Sequence, residues 1–383
     1  MQRSPLSTRA SDLRRQDSLH RWVDAIVSPE QHPRNYLESM SLPNTPDLSV
    51  ILPTADNYST IRRTVNALHA QTIRDRIELV IVAPSDDPHV IQHEVAGFAS
   101  VRIVNGGPLQ TSNTARAAGI RHASAPIVVL AEDHCFPDPD WAAALVEAHR
   151  GNFAVVGPVL RNANPRSMTS WANLLLEYYP WLDGAERSEM DDLPGHNSAY
   201  RKDLLLAYGD RLEELFEVEA VIQRDLRANG HRMLLEPAAR TNHLNFSRLS
   251  SALKLRLHAG RSFAGHRTMG WSASKRAAYV LGAPLIPFVR LARIVAMVRS
   301  SPSYSWLFPR VVPMLTLNLL VDGFGELIGY VSGPGGAAHV LGEIEFNRAR
   351  FMNAEDRREL LASVTELDSP DRWNAAPAQA MAG

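Results

Sequence analysis

Glu132, Asp133 and His134 place two carboxylates and an imidazole directly after the apolar run 125–131. Such a run is typical of a buried strand in a parallel sheet. Asp138, a few residues further on, predicts the N-cap of a following helix. Because open α/β sheets bind their ligands at the carboxyl ends of strands, these side chains are placed to hold a divalent cation against a diphosphate. The alternative interpretation is an ordinary polar loop between a strand and a helix.

The elements around this loop follow an alternating order that is typical of an α/β protein. Apolar runs predict strands, and apolar residues at helical spacing predict helices between them. Such alternation implies right-handed crossovers and a mainly parallel sheet. The predicted strands are 48–52, 77–83, 101–104, 127–131 and 153–159; the predicted helices are 59–70, 111–123, 168–179 and 216–229; residues 195–201 are expected to be extended, and 232–236 and 240–243 to form short edge strands.

The composition excludes several classes of protein. Of the 383 residues, 45% are hydrophobic and 21% are charged, which allows two domains or one large α/β domain with appendages. The net charge of -1 gives no electrostatic reason to expect a nucleic-acid partner. Cys135 is the single cysteine, so an internal disulfide and a cysteine-rich zinc site are both excluded.

The C-terminal third differs in character from the rest of the chain. Its apolar runs, 277–289 and 311–321, are shorter than the roughly 18–20 residues that a spanning helix needs. Flanking arginines suit anionic headgroups, so we expect peripheral or re-entrant contact with the cytoplasmic face of the cell membrane. A soluble helical appendage or an oligomer interface is the alternative. The expected parts are a flexible arm at 1–46, the main α/β domain at 47–260, a helical membrane-associated region at 261–352 and a polar tail at 353–383.

Six segments resemble, in order and spacing, the motifs of family 2 glycosyltransferases, the group with the nucleotide-diphospho-sugar (GT-A) fold. The resemblance implies that 47–260 is a GT-A domain, an α/β fold with a mainly parallel sheet flanked by helices, followed by a helical membrane-associated appendage. It also implies an inverting enzyme that moves a sugar from a nucleotide-diphosphate donor to a hydroxyl acceptor, lipid-linked or polysaccharide, with Mn²⁺ or Mg²⁺. The segments are 49–54, 69–72, 113–120, 132–141, 195–201 and 216–230.

The same resemblance assigns roles to individual residues. Glu132 and His134 are the expected metal ligands, and His243 is a further candidate. Glu219 is the expected general base for the acceptor hydroxyl, and Glu217, about 100° away around the helix, is the alternative. The expected donor contacts are Pro53, Thr54, Asp56, Asp86, Asp87, Asn113, Arg116 and Asp133, and the expected acceptor contacts are Trp181, His196 and Asn197.

Three positions depart from the family pattern. His134 stands where the family has the last aspartate of its Asp-X-Asp motif, which favours Mn²⁺ over Mg²⁺. Asp86 or Asp87 must replace the acids that bind the nucleobase after the second strand, so the nucleotide stays open. Only Glu219 remains in register with the family's pair of catalytic acids.

Each assignment also has a purely structural interpretation. His134 can cap a helix, His243 can be a satisfied core histidine, and Glu219 can be a solvated charge. Arg116 can form a surface ion pair, and Trp181 can belong to the core. Two other functions stay open on the sequence: a nucleotidyltransferase, although no Gly-rich phosphate loop follows the first strand, and a non-catalytic sugar-nucleotide-binding or scaffold relative.

Overall fold

The structure, a computed structural model, describes residues 45–56, 58–85, 93–107, 112–216 and 219–361. All of them belong to one compact unit, Asn44–Gly383. The expected N-terminal arm lies outside the described residues up to position 44, and so does the expected polar tail from position 362 onward.

Nine strands of the described residues form one mixed sheet. They are β1 (Leu48–Pro53), β2 (Ile77–Ala83), β3 (Ser100–Asn105), β4 (Ile127–Leu130), β5 (Cys135–Pro137), β6 (Val155–Asn162), β7 (Ser188–Glu189), β8 (Ala199–Arg201) and β9 (Met233–His243). The strand order is β3-β2-β1-β4-β8-β6-β9-β5, and β7 pairs with β9. The first four strands in this order are parallel, β8 is antiparallel to β4 and β6, and β9 is parallel to β6. The expected α/β class with helices flanking the sheet is confirmed, but the sheet is mixed and not mainly parallel, because β5, β7 and β8 pair in the antiparallel direction.

Helices cover both faces of the sheet and then continue as a separate bundle. They are α1 (Arg62–His69), α2 (Ser112–His122), α3 (Trp141–His149), α4 (Met168–Tyr178), α5 (Lys202–Leu206), α6 (Leu212–Leu215), α7 (Glu219–Ala228), α8 (Leu249–Arg267), α9 (Ala273–Gly282), α10 (Ile286–Ser300), α11 (Val312–Ser332), α12 (Ala337–Phe346), α13 (Arg348–Phe351) and α14 (Ala354–Leu361). Helix α14 thus occupies the first residues of the region expected to be a polar tail.

Strand β1 is buried on both faces, because its side chains alternate between two cores. Val50 belongs to the core that contains α1 and α3, whereas Ile51 belongs to the core under α2. Helix α2 lies close to β1 because Gly119 has no side chain; a Cβ there would come within 2.4 Å of Ile51 Cγ2. The close approach brings Arg116, one turn earlier on α2, to the carboxyl end of the parallel strands.

The prediction of two short edge strands at 232–236 and 240–243 is wrong, because the structure has strand β9 there instead. It is a single strand between β6 and β5, and the β6–β9 register shifts between Pro158 and Val159. Such an irregularity absorbs extra residues without ending the strand. At its far end, His243 pairs with Cys135 of β5, which places it beside the turn that follows β4.

The helix after β5 begins slightly later than expected. Its N-cap is Asp140, not Asp138. Asp138 instead accepts a hydrogen bond from Asn242 Nδ2 at 3.0 Å and pairs with Arg161. Its carboxylate therefore joins β5 to β6 and β9, which keeps the turn between β4 and β5 in place.

The C-terminal helices pack tightly against α8. A Cβ at Gly260 of α8 would lie 2.1 Å from the carbonyl oxygen of Asp322, and one at Gly325 of α11 would lie 2.2 Å from that of Leu257. Two helical stretches are long and apolar enough to cross a membrane: Ala273–Ser300, with 28 residues, and Val312–Ser332, with 21 residues. They are longer than the uncharged runs in the sequence because a 3₁₀ turn joins α9 to α10 and because α11 continues through Asp322.

Candidate metal and diphosphate site

The turn from Glu132 to His134 lies at the carboxyl end of β4, as expected from the sequence. The backbone N–H of Ala131 donates to the Ile51 carbonyl at 2.9 Å, so the pairing with β1 continues to the residue just before the turn. The hydroxyl of Thr64 on α1 lies 3.1 Å from the carbonyl oxygen of Glu132 and 3.0 Å from that of Asp133. Strand β1 and helix α1 therefore fix the turn from both sides.

Three of the side chains at this turn, together with His243, form a compact group of metal-binding type. The potential ligand atoms of Glu132, His134, Cys135 and His243 all lie within 4.8 Å of one another. His134 Nε2 lies 3.2 Å from Glu132 Oε2, and the ring centroids of His134 and His243 are 4.8 Å apart. The residues expected to bind metal are thus together in space, although His243 is about 110 positions away along the chain.

His196, which the sequence assigned to the acceptor, lies in the same group. Its Nδ1 atom is 3.2 Å from Glu132 Oε2, and its ring centroid is 5.5 Å from that of His243. The hydroxyl of Tyr178 lies 2.6 Å from His196 Nε2 and 3.4 Å from His243 Nε2, so it joins the two imidazoles. Asn197, with φ of 56°, turns the backbone at this point, and its N–H donates to the Leu130 carbonyl at 2.7 Å.

The protonation states of this group suit a cation. Burial lowers the pKa of both His134 and His243 well below the ordinary imidazole value, with a further contribution from Arg348. Neutral imidazoles are the form that binds metal. Burial raises the pKa of the Asp133 carboxyl to about 8, against the lowering effect of Arg348, and it also raises the pKa of Glu132. A bound cation would favour the ionised form of both carboxylates.

The donor set fits a transition metal better than Mg²⁺. Imidazole nitrogens with one carboxylate suit ions such as Mn²⁺ or Zn²⁺, whereas Mg²⁺ prefers oxygen ligands throughout. Burial raises the pKa of the Cys135 thiol well above its usual value, and the thiol lies 3.5 Å from Glu132 Oε2 as a donor. In the absence of a metal, Cys135 is therefore a neutral thiol. Asp133 Oδ1 lies 2.7 Å from His134 Nδ1 and orients that ring.

Three buried arginines surround the cleft beside this group. The cleft has a volume of about 290 Å³, and Arg116, Arg256 and Arg348 on its walls are only 5%, 4% and 3% exposed. Arg116 Nη2 lies 3.1 Å from Glu132 Oε1, and Arg256 Nη2 lies 2.7 Å from Glu177 Oε2. Guanidinium groups next to a potential cation site are the usual partners of a diphosphate.

Only some of the residues expected to contact the donor line the cleft or the small cavity beside it. Pro53 lines a small cavity together with Arg116 and the Glu132–His134 turn, and Asn113 lines the cleft. Thr54 and Asp56 hold the loop after β1, since the Thr54 hydroxyl donates to Asp56 Oδ1 at 2.9 Å. The expected nucleobase contacts lie outside the described residues: Asp86 and Asp87.

The expected general base lies near the cleft, but its side chain is not part of the structural description. Glu217 falls outside the described residues, and of Glu219 the structure describes only the backbone, at the start of α7. Phe216, three residues before Glu219, lines the cleft. The choice between these two glutamates therefore stays a prediction.

Trp181 lies outside the cleft, on the wall of a neighbouring groove of about 710 Å³. Its indole N–H donates to the Asp192 carbonyl at 3.0 Å. That groove and the cleft both contact Glu177 at the end of α4, so the expected acceptor residue is next to the metal group without touching it.

Sequence reasoning missed several residues of the cleft. Tyr178 is the last residue of a helix that was predicted, but the spacing of apolar residues does not show that the hydroxyl of this tyrosine points into a site. Arg256 and Arg348 come from helices α8 and α13, far along the chain from Glu132. A charged residue in a helix is usually solvated, so the sequence carries no signal that separates these two arginines from exposed ones.

Comparison with known proteins agrees with this geometry. Residues 49–209 match the family model of Glycosyl transferase family 2. The glucosyl-dolichyl phosphate glucuronosyltransferase of Haloferax volcanii is 23% identical over 217 residues, which cover 50% of this chain and 66% of that relative, just under two thirds of its length. The solved structure of the mannosyltransferase PcManGT from Pyrobaculum calidifontis, in complex with GDP-Man and Mn²⁺, superposes with a TM-score of 0.51 at 15% identity, covering 82% of this chain and 94% of that one.

The structural match at 15% identity shows the fold alone. The matched segment begins in β1 and contains the Glu132–His134 turn and His196. The family match therefore covers the part of the chain that carries strand β1 and the turn after β4 of the candidate site, and the structural match agrees with it on the fold. Residues 49–209 are thus similar to glycosyl transferase family 2, and the fold of the chain is of the GT-A type.

Proposed function

We propose that this protein is a metal-dependent inverting glycosyltransferase. It transfers a sugar from a nucleotide-diphosphate donor to the hydroxyl group of a lipid-linked acceptor, at the cytoplasmic face of a membrane. The observation that supports the metal and the donor is the group of Glu132, His134, His196 and His243 beside three buried arginines.

The residues of this group have distinct tasks in the proposed reaction. Glu132, His134 and His243 would hold the cation, whose positive charge stabilises the leaving diphosphate. Arg116 and Arg256 bind phosphate oxygens. Glu219 accepts the proton of the acceptor hydroxyl as that oxygen attacks the anomeric carbon. Attack from the face opposite the leaving group inverts the configuration.

The position of the acceptor is inferred from the C-terminal helices. A groove of about 870 Å³ lies between α8, α10 and α11, and Glu177 and Arg256 line both this groove and the cleft. Leu285 on the wall of this groove is 66% exposed, and Leu281 on the preceding helix α9 is 81% exposed. Apolar side chains of this size in water favour contact with an acyl layer, and the Haloferax volcanii relative is named for a dolichyl phosphate substrate.

Thermal unfolding with candidate ligands tests the proposal directly. The full chain in detergent is heated with UDP, GDP and their sugar conjugates, each with Mn²⁺ and with EDTA. We expect one nucleotide to raise the melting temperature with Mn²⁺ and to have little effect with EDTA, because ligand binding to the folded state stabilises it. No response to any nucleotide diphosphate with Mn²⁺ would contradict the proposed function. Release of free nucleotide diphosphate from the sugar conjugate of the responding nucleotide then tests catalysis.

A further inference from the structure

We propose that Arg348 binds the diphosphate of the donor, and that Glu345 occupies its guanidinium group until the donor arrives. Both residues come from the C-terminal helices, at the end of α12 and the start of α13, more than 130 positions after the segment that matches the family. The inference rests on the proposed function, because it needs a diphosphate ligand in the same cleft.

Arg348 is fixed beside the metal-binding group by contacts with the end of β9. Its Nη2 atom donates to the Leu244 carbonyl at 2.9 Å, and its guanidinium carbon lies 4.0 Å above the ring of Phe246. Leu244 directly follows His243, so the same short segment holds a potential metal ligand and the arginine. The Nε atom of Arg348 has no hydrogen-bond partner among the described residues.

The charges around Arg348 are arranged for an exchange of anions. Its guanidinium group pairs with Glu345, and the carboxyl groups of Glu132 and Asp133 are further partners in its electrostatic surroundings. Arg348 is 3% exposed, whereas the Glu345 side chain is still 37% exposed. Glu345 can therefore turn toward water at small cost, which frees a planar fork of donors that matches phosphate oxygens.

Glu345 also lies on the route that a diphosphate would occupy. It lines the cleft, and it lines the small cavity between Pro53, Arg116 and the Glu132–His134 turn. A diphosphate bound to a cation at Glu132 and to Arg116 would thus meet Arg348 from the same side as Glu345. A buried ion pair contributes little net stability, so the pairing of Arg348 with Glu345 at the edge of the cleft is consistent with a role in ligand binding.

Binding of inorganic pyrophosphate to the full chain tests this role without knowledge of the sugar or the base. Calorimetry with Mn²⁺ compares the wild type with Arg348→Ala, Arg348→Lys and Glu345→Gln. Arg350→Ala is the matched control, because Arg350 is exposed on the same short helix. We expect Arg348→Ala to weaken pyrophosphate binding about 10- to 100-fold, because the loss of hydrogen bonds to a charged group lowers affinity by about this factor.

The other variants separate binding from folding. Arg348→Lys keeps the charge but not the fork, so its loss should be smaller than that of Arg348→Ala. Glu345→Gln removes the competing carboxylate and should bind pyrophosphate as tightly as the wild type or more tightly. Arg350→Ala should stay within about twofold of the wild type, as expected for a distant surface charge. Melting temperatures without ligand show whether each variant is folded.

Two results would overturn the inference. One is wild-type affinity in a folded Arg348→Ala or Arg348→Lys variant. The other is an equal loss in Glu345→Gln and Arg348→Ala, because the effect would then follow the ion pair and not the guanidinium group. A wild-type protein that binds no pyrophosphate with Mn²⁺ would instead refute the proposed function itself.

Discussion

Removal of the His134 imidazole should uncouple pyrophosphate binding from the metal. The ring lies between Glu132 and Asp133, with its two nitrogens 3.2 Å and 2.7 Å from their carboxylate oxygens. His134→Ala deletes one ligand and leaves Asp133 without the ring that it orients. Loss of a mere supporting contact costs a metal site 10- to 100-fold in affinity, so loss of a ligand should weaken Mn²⁺ binding by about 100-fold or more.

The expected signal follows from the linkage of binding to folding. At a Mn²⁺ concentration of about 100 times the wild-type dissociation constant, the ion stabilises the folded wild type by about 2.7 kcal/mol. At the same concentration, a 100-fold weaker variant is stabilised by only about 0.4 kcal/mol. Denaturant unfolding with and without Mn²⁺ measures both values, and calorimetry with pyrophosphate shows whether the anion still gains affinity from the metal.

Cys135→Ser provides the matched control for this experiment. The thiol belongs to the same compact group, but it is placed as a hydrogen-bond donor to Glu132 Oε2 at 3.5 Å, so we expect the imidazoles and not the thiol to hold the ion. We expect Mn²⁺ affinity within about threefold of the wild type in Cys135→Ser. Our assignment of the ligands is refuted if His134→Ala keeps the full stabilisation by Mn²⁺, or if Cys135→Ser loses as much as His134→Ala.

Four further predictions follow from other parts of the molecule. Glu219→Gln should lower turnover by about 10²-fold or more while donor binding is retained; full activity in Glu219→Gln together with inactivity of Glu217→Gln would reverse the assignment of the base. Burial lowers the pKa of His149 to about 4, so the folded state keeps this ring neutral and loses stability as pH falls from about 6.5 toward 4; between pH 7.5 and 5 the loss is about 2 kcal/mol, and it should be absent from the urea unfolding of His149→Gln. The full chain should sediment with anionic liposomes and be released by detergent but not by salt, and a detergent-free monodisperse protein without affinity for liposomes would contradict this. Gly325→Ala should lower the free energy of unfolding by about 1–3 kcal/mol through overpacking against α8, whereas Gly282→Ala, where a Cβ meets no atom within 4 Å, should not.

The parallel half of the sheet could be predicted from the sequence because its strands are buried on both faces. Strands β1 and β2 are buried throughout, so each is apolar except for one polar residue, and these two residues, Ser49 and Glu78, hydrogen-bond to each other. Strand β9 was harder, since Pro237 interrupts its apolar pattern, and the pattern alone indicates two short strands. The structure keeps one strand because an irregularity in the β6 register accommodates the interruption.

The candidate site could be predicted only where its residues are neighbours in the sequence or belong to a known motif. Glu132 and His134 stand together after a strand, and His243 entered through the family resemblance. The motif assigned His196 to the acceptor, whereas its position beside Glu132 follows only from the fold. Arg348 could not be found at all, because burial of a charged residue depends on contacts between segments about 100 positions apart, here with Leu244.

Helix α8 connects the two halves of the proposed reaction. It has 19 residues and is therefore about 28 Å long, with Arg256, near its middle, lining the cleft. At its C-terminal end, the guanidinium carbon of Arg267 lies 5.1 Å from the ring of Tyr279 on α9, in the region that we expect to meet the membrane. About one turn after Arg256, Gly260 places α8 directly against the backbone of α11. Because α8 and α11 touch at their backbones there, a lipid surface that positions α11 would also position α8 and its Arg256. The tight contact between glycine and backbone would thus link the proposed donor site to the helices that we expect to meet the membrane.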